Sequence, residues 1–104
     1  MASVIPKMKA LPAPNKTTQA ADAFELFSVW YVDGAPYVTV RADAWKDPAA
    51  YGIMIADLMR HIAHAYWQVE GRDKQEAFLR ILEGFAAQIE FPTDEPVGKL
   101  IIEP

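Results

Sequence analysis

The sequence predicts an α+β domain: an N-terminal β-hairpin packed on an antiparallel two-helix hairpin, in the order ββαα. Three observations predict it. Two runs rich in aromatic and β-branched residues flank Asp33-Gly34, a two-residue hairpin signal. A long segment from Ala49 to Glu70 repeats apolar residues at spacings of four and three. A second periodic segment follows Asp73 and stops at Pro92. Strands followed by helices, without alternation, give α+β rather than α/β.

In chain order, residues 1–20 are rich in Pro, Ala, Lys and Thr, with prolines at Pro6, Pro12 and Pro14. They predict an extended arm, and residues 21–104 a single α+β domain. Val4, Ile5, Met8 and Leu11 are apolar enough to dock part of the arm on the body.

Residues 24–32 (FELFSVWYV) read as the first strand and residues 37–41 (YVTVR) as the second. A type I′ turn at Asp33-Gly34 sets Val32 opposite Ala35, Trp30 opposite Tyr37, Val29 opposite Val38 and Phe27 opposite Val40. One face then carries Phe27, Val29, Tyr31, Val38 and Val40, apolar throughout, and should pack on the helices. The other carries Leu26, Ser28, Trp30, Tyr37, Thr39 and Arg41. Pro36 lacks an amide donor, which suggests a sheet edge.

The central helix has a start and a stop. Asp47 suits the N-cap and Pro48 the first helical position. Gly71 can take the left-handed conformation that ends a helix. Its apolar stripe is Tyr51, Ile55, Leu58, Ile62, Ala65 and Val69, widened by Met54, Met59 and Tyr66. Trp45, just before the cap, is placed to pack back on the first turn. Asp73 and Glu76 have capping-box spacing and open the second helix, whose stripe is Phe78, Leu82, Phe85 and Ile89. Ala77 and Gly84 are small enough for close approach by a neighbour, and Glu76 with Arg80 makes a helix-surface pair. The short link between helices predicts antiparallel packing. After Pro92, Lys99–Glu103 (KLIIE) reads either as a short third strand or as an apolar tail docked on a neighbour.

Length and composition narrow the function. The chain of 104 residues suits one domain, and its hydrophobic fraction of 52% is enough for a core. Net charge is −4 and no basic cluster exists, which disfavours nucleic acid. There is no cysteine, so thiolate chemistry and disulfides are excluded and a cytoplasmic location is expected. No secretory leader or membrane span is expected either. No Gly-rich phosphate loop, nucleophile elbow or Ser/His/Asp arrangement is visible, and neither cofactor nor metal is expected.

Two sets of residues stand out. Asp57, His61 and His64 recur along one side of the central helix. That spacing can place two imidazoles and a carboxylate around one metal, or let Asp57 orient His61 as a general base. It equally describes a solvated polar face, because nothing nearby completes a site. The second set is Trp30, Tyr37 and Trp67. A two-stranded hairpin with two helices gives a thin core, so something must cover the Trp30/Tyr37 pair: the arm, the KLIIE segment or a second copy. Trp67 is the aromatic least accounted for by the helix stripe.

The run ADAWKDPAAYGIMIADLMRHIAHAY, with Ser28-Val29-Trp30 before it and Glu70-Gly71-Arg72-Asp73 after it, resembles a family of short alphaproteobacterial proteins known only as a domain of unknown function. The resemblance spans roughly residues 24–91. It implies a small soluble bacterial protein and carries over no reaction, cofactor or catalytic residue.

These readings favour a non-enzymatic, self-associating protein-interaction domain, a homodimer with room for a further protein partner. The alternative is a small-molecule or metal-binding protein using Asp57, His61 and His64, or an aromatic pocket between sheet and helices.

Overall fold

The computed structural model describes residues 9–92 and 99–103. Its elements are α1 (Lys16–Gln19), β1 (Phe27–Val32), β2 (Ala35–Arg41), α2 (Ala49–Glu70), α3 (Lys74–Glu90) and β3 (Lys99–Glu103). The α+β architecture is as expected: an antiparallel hairpin followed by two long helices packed together.

The arm is not extended throughout. The Thr17 and Thr18 hydroxyls donate to the Pro14 and Asn15 carbonyls at 2.7 and 2.8 Å, and their amides donate to the same oxygens, winding one turn, α1. Leu11 is 87% exposed and docks on nothing. Val4, Ile5 and Met8 lie outside the described residues.

The hairpin forms in the expected register, from Val32 opposite Ala35 to Phe27 opposite Val40. Asp33 and Gly34 both have positive φ, 52° and 78°, as a type I′ turn requires. The KLIIE segment joins the sheet. It pairs parallel to β2, from Tyr37 opposite Lys99 to Arg41 opposite Glu103, so the strand order is β1-β2-β3. A parallel neighbour needs a long crossover, and the α2–α3 pair supplies it. Pro36 therefore lies in the central strand, not on an edge strand. Among the described residues, pairing with β3 begins one residue further on, at Tyr37.

The helix ends follow local rules. The Asp47 carboxylate accepts from the Ala49 amide at 3.0 Å, and Pro48 already has helical φ and ψ. Gly71 ends α2 at φ 70°, ψ 13°, its amide donating to Trp67. Asp73 caps α3 by accepting from the Glu76 amide at 3.1 Å. The expected Glu76–Arg80 pair does not form. Arg72 reaches Glu76 at 2.9 Å from outside the helix, and Arg80 turns instead to Glu83 at 2.9 Å.

Packing is where expectation and structure part. The buried core among the described residues is Met59, Ala63 and Ala77, all on the helix pair. Ala77 is used for close approach, as its size suggests, but a Cβ on Gly84 would meet nothing within 4 Å. The apolar hairpin face was expected to pack on the helices. It does so only in part: Phe27, Val38 and Val40 are half-buried, whereas Val29 and Tyr31 are exposed. Among the described residues, no strand Cα lies within 8 Å of a Cα of α2 or α3. What ties the two layers across residues 42–48 is the Tyr51 hydroxyl, which donates to the Arg41 carbonyl, and Trp45, whose ring meets that of Tyr51 edge-on at 4.9 Å. The second contact is the loose staple anticipated for Trp45. The radius of gyration, 15.6 Å, exceeds the roughly 13 Å typical of a compact chain of this length.

Candidate functional site

Asp57, His61 and His64 all lie exposed on α2. The Asp57 carboxylate pairs with Arg60 at 3.8 Å, one turn along, and both side chains are about two-thirds exposed. No hydrogen bond or ion pair joins Asp57 to His61 among the described residues. His64 meets the Trp67 ring edge-on, centroids 5.6 Å apart. No group of three or more His, Asp or Glu residues is placed to share a metal among the described residues. Spacing along a helix aligns the three side chains; a ligand set also needs a donor from another element. Zinc titration should therefore give the same result for wild type and for His61→Ala/His64→Ala. A zinc site lost in the double variant would restore the metal reading.

The aromatic candidates occupy two places. Trp30 and Tyr37 sit opposite each other on β1 and β2 and are both exposed, Trp30 at 44%. The Trp30 indole N–H donates to the Ser28 hydroxyl at 2.9 Å, so its polar edge is satisfied while its ring stays bare. Above the end of that pair, Arg41 donates to the Glu25 carbonyl and stacks over Phe24 at 5.5 Å, pinning residues 24–25 to the sheet. Trp67 stands at the far end of α2, where the Lys74 ammonium lies 5.0 Å from its ring. Arg72 lies over Tyr66 at 5.8 Å and Arg60 over Phe78 at 5.2 Å. The Lys74 and Arg72 contacts lie at the closed end of the helix pair and the Arg60 contact further along it, each worth about 0.5–1 kcal/mol at exposed positions.

Sequence reasoning missed the largest feature. The helix stripes that should be core are only partly covered. On α2, Ile55, Leu58 and Ile62 are 38%, 37% and 39% exposed, and Val69 83%. On α3, Leu82, Phe85 and Ile89 are exposed too. The two helices touch through the flank of α2 that holds Met59 and Ala63, not through the centre of its stripe. Ile62, Ala65, Tyr66 and Val69, with Glu70 at one end, line a shallow, mostly apolar groove on α2. The width of the α2 stripe was the available signal: it is broader than one neighbouring helix can cover.

The family described as "Domain of unknown function (DUF5076)" matches residues 10–93. The chain belongs to this family. No curated protein sequence matches it. Among solved structures, this DUF5076 chain is similar to one titled as a putative pyruvate dehydrogenase from the photosynthetic bacterium Rhodopseudomonas palustrus. The two are 29% identical with a TM-score of 0.68, over 89% of this chain and 95% of that one. No described helix of the DUF5076 chain is long and apolar enough to cross a membrane.

Proposed function

We propose that this DUF5076 chain is a non-enzymatic, self-associating protein-interaction domain, a cytoplasmic homodimer of alphaproteobacterial origin. The observation that carries the reading is uncovered surface. Val69 on α2, Ile89 on α3 and Tyr31 on β1 are 83%, 66% and 76% exposed, and Trp30 and Tyr37 lie opposite each other on the hairpin at 44% and 38%. Contiguous apolar surface of this kind is the mark of an interaction site.

The KLIIE strand extends the sheet in its own plane and so does not lie over the Trp30/Tyr37 face. Residues 9–19 of the arm are exposed along their length, and residues 1–8 lie outside the described residues. This reading takes a second copy as the cover. The dehydrogenase description stays with the Rhodopseudomonas protein. This chain has no Gly-rich phosphate loop, and its polar candidates point to separate neighbours.

Light scattering on a sizing column, across a concentration series, tests the reading. The expected mass is twice 11.6 kDa, held down to low micromolar concentration. A strict monomer at every concentration would overturn it.

A further inference from the structure

Two clefts along the α2–α3 pair carry different charge. The first is lined by Tyr66, Arg72, Ala77, Arg80 and Ile81. Each of its guanidiniums is met by a carboxylate of α3, Arg72 by Glu76 and Arg80 by Glu83, both at 2.9 Å. That cleft neutralises itself. The second is open, about 510 Å³ in volume, and lined by Arg60, Ala63, His64, Lys74, Gln75 and Phe78. Three of these six are basic, Gln75 adds an amide donor, and none is a carboxylate. In a chain of 14 acids against 10 bases, a cleft lined by bases alone runs against the composition.

The bases are held by rings rather than by acids. The Arg60 guanidinium lies 5.2 Å from the Phe78 centroid and the Lys74 ammonium 5.0 Å from that of Trp67. His64 meets Trp67 edge-on at 5.6 Å. A cation resting on a ring face keeps N–H donors for another partner. Among the described residues, Lys74 makes no ion pair. Arg60 has Asp57 at 3.8 Å, but Asp57 does not line the cleft and both side chains are about two-thirds exposed. A pair so long and so exposed contributes little and yields to a better acceptor.

We propose that this cleft binds a small organic anion, a phosphate or carboxylate head joined to an apolar body. Arg60 and His64 stand one turn apart on α2, and Lys74 and Phe78 one turn apart on α3, so neighbouring side chains start about 5–6 Å from each other. Arg60, Lys74, a ring N–H of His64 and the Gln75 amide then donate to the oxygens of the head, in charge-assisted hydrogen bonds. Phe78 and Ala63 supply the apolar floor for the body. The volume lies within the roughly 300–1,000 Å³ of small-ligand sites. Three bases without a longer basic stripe suit a small ligand and not a nucleic acid. The inference goes beyond the self-association proposed above and does not depend on it.

The test is a titration of the isotopically labelled chain with phenyl phosphate, benzoate and uncharged benzyl alcohol at constant ionic strength, followed through backbone amide shifts. Saturable shifts at Ala63, His64, Lys74 and Gln75 are expected with at least one of the two anions, and none with benzyl alcohol. The tighter of the two anions identifies the head. Arg60→Gln and Lys74→Gln, checked for unchanged helical circular dichroism, should each raise the Kd about tenfold, the loss of one charge-assisted hydrogen bond. Arg80→Gln, in the self-neutralised cleft, should leave it unchanged. Shifts that rise without saturating would overturn the proposal, as would saturable shifts centred on Arg72 and Arg80. So would equal shifts with benzyl alcohol, or a Kd that neither Arg60→Gln nor Lys74→Gln alters.

Discussion

Ala63→Leu should destabilise the protein by about 1–3 kcal/mol, the usual cost of forcing extra methylenes into a packed contact. Ala63 is 2% exposed and Ala77 on the facing helix 3% exposed, the two most deeply buried described residues. Small side chains at both positions let the helix backbones approach. An open cleft lined by Arg60, His64, Lys74, Gln75 and Phe78 lies beside Ala63. A leucine that stays at the helix contact forces the helices apart, and one that turns into the cleft displaces Arg60 from the Phe78 ring. Denaturant titration followed by circular dichroism measures the change as a lower midpoint with an unaltered slope. An unchanged midpoint would mean that α2 and α3 do not meet at these alanines in solution.

That contact also explains how far the fold was legible in the sequence. The hairpin register was readable because Asp33-Gly34 fixes it locally: two positive φ angles determine every cross-strand pair back to Phe27. The bounds of α2 were readable for the same reason, with Asp47 at one end and Gly71 at the other. Features set by distant parts of the chain were not readable. Pro36 suggested an edge because sequence does not show that β3 arrives one residue later. Glu76 has two arginines within reach, and the choice of Arg72 over Arg80 depends on the loop's path between the helices. The apolar hairpin face reads as core, yet Tyr31 is 76% exposed, because hydrophobic pattern says that a face is buried without saying by what.

The same limit governs the candidate site. Asp57, His61 and His64 align by helical spacing, and alignment was all the sequence could supply. The side chains that settle their surroundings, Arg60 and Trp67, are not metal ligands. Conversely, the α2 stripe was visible residue by residue. What was hidden is that α3 covers only one flank of it.

Tyr51→Ala should cost about 1–3 kcal/mol, from two separable losses. Tyr51 sits in the first turn of α2, half-buried, with its hydroxyl donating to the Arg41 carbonyl at the end of β2. Its ring also packs edge-on against Trp45 in the connector. These contacts tie the end of β2 and the connector to the first turn of α2. Tyr51→Phe removes the hydroxyl and keeps the ring, so it should cost about 0.5–1.5 kcal/mol, the hydrogen-bond share. The difference between the two variants is then the ring's contribution. Hydrogen exchange gives the spatial readout. Both variants should speed exchange at the β2 end near Arg41 and in the first turn of α2, while the Ala63–Ala77 region of the helix pair stays protected. If Tyr51→Phe matches wild type in stability and in exchange, the hydroxyl holds nothing in place, and the Trp45–Tyr51 ring contact alone makes the tie.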